Sequence, residues 1–164
     1  MEVTTLSKAA GAWCKFCTSD NQTNGKVSGK GCSQFMLRPK QCRDFNCVWL
    51  MDSRLGAEWK PDTAKFVLAS EYEGRVLSVM VDSKQPNAWK REPYRAVLKE
   101  MTVRQMSEGK IVMIVTDTKR YIMLPDTEAE LGPRDMTFGW VVSRSETANG
   151  PHFSVEITRG AKAA

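Results

Sequence analysis

Five cysteines and one histidine carry most of the chemistry that this chain of 164 residues could do. The segment AWCKFC (12–17) sets Cys14 and Cys17 two residues apart. That spacing lets two thiolates face one tetrahedral ion while the turning backbone points its amides at the sulfurs. A second pair, Cys42 and Cys47, stands in CRDFNC, so the pattern reads C-x2-C-x24-C-x4-C. A closed structural zinc site needs four such ligands. The expectation is zinc held by Cys14, Cys17, Cys42 and Cys47, with Cys32 of SGKGCSQF able to replace either member of the second pair. Lys15, Lys30 and Lys40 lie near enough in sequence to offset the thiolate charge. The plain alternative is a set of buried thiols with a chance Cys-x-x-Cys. A thioredoxin-like couple is disfavoured, because no strand precedes the motif and no long helix follows it.

The same residues bear on location. An odd number of cysteines confined to positions 14–47 does not suit a secreted disulfide framework. The start, MEVTTLSKAAGAW, lacks a basic stretch followed by an apolar one, so no signal peptide is expected. The longest apolar runs, VLSVMV (76–81) and IVMIV (111–115), fall far short of the roughly 20 residues of a membrane span. An intracellular protein of the cytoplasm or nucleus, without membrane contact, is expected.

Charge points to a partner. Between positions 8 and 43 stand Lys8, Lys15, Lys26, Lys30, Arg38, Lys40 and Arg43, against Asp20 alone. This local excess of six exceeds the +5 of the whole chain, so the positive field is concentrated on the cysteine-bearing segment. Basic loops fixed by an ion suit phosphates, from which they release counterions. A second basic cluster, Lys84, Lys90, Arg91, Arg95, Lys99 and Arg104, is interleaved with Trp89 and Tyr94. Aromatics among cations suit single-stranded bases, so RNA is favoured over single-stranded DNA. The expected contacts are Lys15, Lys26, Lys30, Arg38, Lys40, Arg43, Lys84, Lys90, Arg91 and Arg95 on phosphates, with Trp89 and Tyr94 stacking. The competing view has both aromatics capping the core. Trp13 and Phe16 are expected to pack within the metal module. No RNP signature, Gly-x-x-Gly clamp or helix-turn-helix pattern indicates sequence readout.

Two other classes remain. Cys47, expected at a helix start, and His152, on a late strand, could form a papain-like pair of the viral leader autoprotease type. Against it, Cys47 is wanted by the metal and no adjacent tryptophan follows it. No phosphate-binding Gly loop, HExxH or Gly-x-Ser-x-Gly motif offers another enzyme class. The third class is a protein–protein interaction module with incidental charge, whose sheet edges admit self-association.

These groups must be positioned by two kinds of element. Residues 1–60 read as a cysteine-rich, zinc-binding module with one helix over 44–55, capped by Asp44 or Asn46. Residues 64–160 read as an antiparallel β domain, closed as a barrel or folded like a sandwich, so the fold class is α+β. Strands are expected at 65–72, 75–82, 110–117, 120–125, 137–144 and 152–159, the last pair turning at Asn149-Gly150. Segment 94–106 fits both periods and is assigned to a seventh strand. Segment 126–135 is assigned to an acidic loop.

Overall fold

The structure, a computed structural model, describes residues 7, 17–18, 31–32, 35–37, 39–43, 45, 47–133 and 136–162. The chain divides into two compact units, Met1–Phe45 and Asn46–Ala164. In the first, Cys17–Thr18 (β1) pairs antiparallel with Gly31–Cys32 (β2), which sets Cys17 directly opposite Cys32. A 3-10 turn at Phe35–Leu37 and a single helical turn, Lys40–Arg43 (α1), follow.

The second unit begins with two more single turns, Val48–Met51 (α2) and Pro61–Ala64 (α3). The expected helix over 44–55 therefore contracts to α2, and its proposed caps Asp44 and Asn46 lie outside the described residues. Asp52 ends it in an extended conformation. Next come Phe66–Glu71 (β3) and Val76–Val81 (β4), an antiparallel hairpin as expected from its turn chemistry. Tyr72, Glu73 and Gly74 all take positive φ there, and Gly74, at +82°, does so without a Cβ clash.

Segment 94–106, assigned to a strand, is instead the helix Tyr94–Ser107 (α4). Its buried residues are Tyr94, Leu98, Thr102 and Met106, spaced by four, whereas the Ala96 required inward by a strand is exposed. The helix has a topological consequence. It links β4 to Ile111–Val115 (β5), and these two strands run parallel, which a tight hairpin could not achieve. All five residues of β5 are buried, the mark of a strand covered on both faces.

Lys119–Met123 (β6) and Glu128–Pro133 (β7) complete the sheet, both antiparallel to their neighbours. The expected acidic loop is thus an edge strand. Its Glu128, Glu130 and Pro133 are tolerable because, among the described residues, one side of it has no strand partner. The order is β3-β4-β5-β6-β7, so the sheet is mixed and open, where a wholly antiparallel domain, closed as a barrel or folded like a sandwich, was expected.

Each face of the sheet has its own cover. Phe66, Leu68, Val79, Val112, Ile114 and Met123 face α4 and the loops, and Trp89, Leu98 and Trp59 pack there. Trp59, Phe66 and Tyr94 meet edge to face with centroids 5.1–5.9 Å apart. On the other face lie Val76, Ile111, Met113, Val115 and Ile122. A long hairpin, Met136–Thr147 (β8) with Gly150–Lys162 (β9), lays Trp140, Val142, Val155 and Ile157 over them. Its two turn residues are Ala148 and Asn149, one position before the expected Asn149-Gly150, and Gly150, at φ +108°, opens β9 opposite Thr147. Among the described residues, no helix is long and apolar enough to cross a membrane.

Candidate metal centre and nucleic-acid interface

The metal ligands expected from sequence divide between the units. Cys14, Cys17, Cys32 and Cys42 belong to Met1–Phe45, and Cys47 to Asn46–Ala164. Cys14 lies outside the described residues. Cys17 and Cys32 are backbone register partners in the β1–β2 pair, a pairing that the fourteen residues between them do not announce. Cys42 is half-buried on α1. Cys47 is 8% exposed and stands immediately before α2. Its backbone bridges to Ala69 of the edge strand β3. Among the described residues, no three His, Cys, Asp or Glu side chains converge.

The basic residues differ in how they are engaged. Lys15, Lys26, Lys30 and Arg38 lie outside the described residues. Lys40 and Arg43 are exposed on α1. In the second cluster, the Arg91 guanidinium donates to the Ala64 carbonyl at 3.1 Å and to the Ala88 carbonyl at 3.3 Å. It also lies 5.8 Å from the Tyr94 ring centroid, so it clamps loop to core. Arg95 pairs with Glu128 at 3.6 Å. Lys84 and Lys90 are exposed.

Trp89 and Tyr94, expected to stack on bases, are 2% and 7% exposed. Both belong to the core under α4, and the Tyr94 hydroxyl donates to the Glu58 carbonyl at 2.8 Å. Their faces are covered by protein, so the stacking expectation is corrected. The apolar area of each ring outweighs its polar edge, and the loop folds inward around it.

Burying Trp89 leaves a feature that the sequence did not signal. Its edge and Lys90, Thr116, Thr118 and Tyr121 line a cavity of about 330 Å3. The Lys90 ammonium stands 5.0 Å from the Trp89 ring centroid. The cavity forms where β4 and β5 both end, because the two strands are parallel and deliver their following loops to the same edge. Such carboxyl-end crevices are where open α/β sheets take ligands.

A second cavity, about 490 Å3, is lined by Met51, Asp52, Arg54, Ser70 and Gln105. Arg54 grips Asp52 with two side-chain hydrogen bonds, 2.8 and 2.7 Å long. Those bonds, with the Arg54 backbone amide, hold the Asp52 carboxyl down at about 2. Asp52 is therefore an acceptor only and no proton donor at neutral pH. A depressed carboxylate stabilises the fold above its unfolded value, about 3.9, and the contribution fades as pH falls from there through about 2. An NMR titration of the Asp52 carboxyl carbon is expected to show a midpoint of about 2. In Arg54→Ala the midpoint should rise toward about 3.9; an unchanged midpoint would refute the assignment.

The papain-like pair fares as follows. Cys47 precedes a helix of one turn, whose dipole is small. His152 is exposed on β9, opposite Ser145 and two residues past Gly150, where the strand begins. No hydrogen bond joins Cys47 to His152 among the described residues. No family model matches the chain, and no characterised protein or solved structure shows significant similarity to it.

Proposed function

We propose that this protein binds single-stranded nucleic acid, RNA in preference to DNA, without catalysis, in an accessory or regulatory role inside the cell. Zinc held by four of the five cysteines would organise the basic segment. The observation that carries the proposal is the charge of residues 8–43, seven basic side chains against one acidic. Lys40 and Arg43, exposed on α1, are its described representatives. Each meets phosphates as a point or fork of charge. In the second unit, Lys84 and Lys90 contact phosphate in their own right. The cavity beside Lys90 accepts one splayed-out nucleotide, with Thr118 as a hydrogen-bonding partner.

The test is fluorescence anisotropy of a labelled single-stranded RNA against salt. Six neutralised phosphates would give a log–log slope of about −4, so affinity falls about 300-fold between about 50 and 200 mM salt. Binding that ignores salt would sink the proposal. Met36 and Leu37, 86% and 79% exposed beside the basic residues of the first unit, favour a second reading, a protein partner on that surface. That reading expects no salt-dependent RNA binding and a stable protein complex.

A further inference from the structure

We propose that a base of single-stranded RNA stacks on Tyr72, at the tip of the β3–β4 hairpin, while Arg75 holds the adjoining phosphate. The site rests on the RNA reading of the proposed function. It deepens that reading by supplying the aromatic contact that burial denies to Trp89 and Tyr94.

Tyr72 is costly where it stands. Among the described side chains it alone of the aromatics is exposed, at 62%. Its backbone is left-handed, with φ +51°, and Glu73 follows at +57°. Glycine and asparagine suit that region, and a bulky side chain is disfavoured there. The turn is nonetheless closed, by hydrogen bonds from the Gly74 amide to the Glu71 carbonyl and from the Arg75 amide to the Tyr72 carbonyl, each 3.1 Å long. Neither burial nor turn geometry accounts for a tyrosine at this position. A ring arriving from outside does.

The side chain is also supported. Tyr72 meets Trp140 edge to face, with centroids 6.2 Å apart and planes at 73°. Trp140 is half-buried and packs over the sheet with Val142 and Ile157, so it is a fixed wall. The Arg75 guanidinium lies 5.9 Å from the Trp140 centroid. The Ile111 amide donates to the Arg75 carbonyl at 3.1 Å and ties that backbone to β5. A supported tyrosine loses little conformational freedom when a base lands on it.

Charge selects the occupant. Arg75 is exposed and pairs with no carboxylate among the described residues. Of the two carboxylates beside the turn, Glu71 accepts a hydrogen bond from the buried Ser78 hydroxyl, and Glu73 is exposed. Glu73 repels a phosphate at the tip itself. The ring therefore meets the base, and the phosphate falls to Arg75. Every base has a π-face, so the contact tolerates any sequence.

The experiment compares the full-length wild type with Tyr72→Asn and Tyr72→Leu, using a fluorescein-labelled single-stranded oligoadenylate, with inorganic polyphosphate as a ligand that has charge but no bases. Asparagine suits the left-handed backbone, and leucine keeps an apolar contact with Trp140 but has no ring. Melting curves establish that each variant is folded. Both variants are expected to lose about 5- to 150-fold in oligoadenylate affinity, the range for one stacked base, with polyphosphate binding unchanged. Undiminished oligoadenylate affinity in either folded variant, or an equal loss toward polyphosphate, overturns the stacking site and leaves the RNA reading standing. A wild type whose oligoadenylate binding ignores salt overturns the RNA reading and the site with it.

Discussion

Trp89→Ala is expected to destabilise the second unit by about 3–5 kcal/mol, the range for truncating a large buried aromatic. Trp89 is the largest fully buried side chain among the described residues. It sits on a 3-10 turn, Ala88–Lys90, inside a loop that is otherwise exposed from 83 to 93 apart from Ala88. The indole therefore anchors that loop to the core shared by Phe66, Leu98 and Ile114. Its loss removes both the transfer free energy and the packing of the atoms around it. Denaturant unfolding followed by circular dichroism measures the change. A variant as stable as the wild type would refute the anchoring role of Trp89.

On the zinc reading proposed above, a strong chelator is expected to abolish the pairing of β1 with β2 while leaving the five-stranded sheet folded. Among the described residues, every buried apolar side chain lies at position 47 or beyond, so the second unit has a core that needs no metal. The first unit combines a Gly-, Asn- and Ser-rich stretch with two strands of two residues each. Structural zinc contributes about 10–16 kcal/mol of apparent binding free energy in small finger peptides, more than such a unit gains from burial. Hydrogen exchange read residue by residue decides the matter. Amides of β1 and β2 should exchange freely after chelation, while those of Ile111–Val115 stay protected. RNA affinity should fall at least about 100-fold, because ordered charges bind phosphates better than a loose chain of the same composition. Unchanged protection in both units would eliminate zinc as a structural element, and loss of protection in both would show the second unit to be metal-dependent.

Several features were legible from residue order alone because their causes are local. Alternating burial and a glycine-containing turn mark the β3–β4 hairpin, and Asn149-Gly150 marks the β8–β9 turn to within one residue. The apolar run at 111–115 marks a strand buried on both faces. The charge of residues 8–43 and the Cys-x-x-Cys spacing are properties of composition and need no fold to be seen.

Only tertiary structure decided the rest, because burial depends on partners distant in sequence. Segment 94–106 satisfies helical and strand periods alike, and what selects the helix is a sheet face needing cover and a parallel pair needing a crossover. That choice in turn aligns the ends of β4 and β5 and creates the cavity beside Lys90. Trp89 and Tyr94 looked equally suited to bases and to a core until Trp59 and Phe66 were seen to meet Tyr94, and Leu98 and Val112 to share a core with Trp89. Cys47 looked like a partner of Cys42 by spacing, yet Ala69 holds its backbone, while Cys32 comes opposite Cys17 through strand register. Spacing records which residues lie near along the chain; only pairing and packing decide which lie near in space.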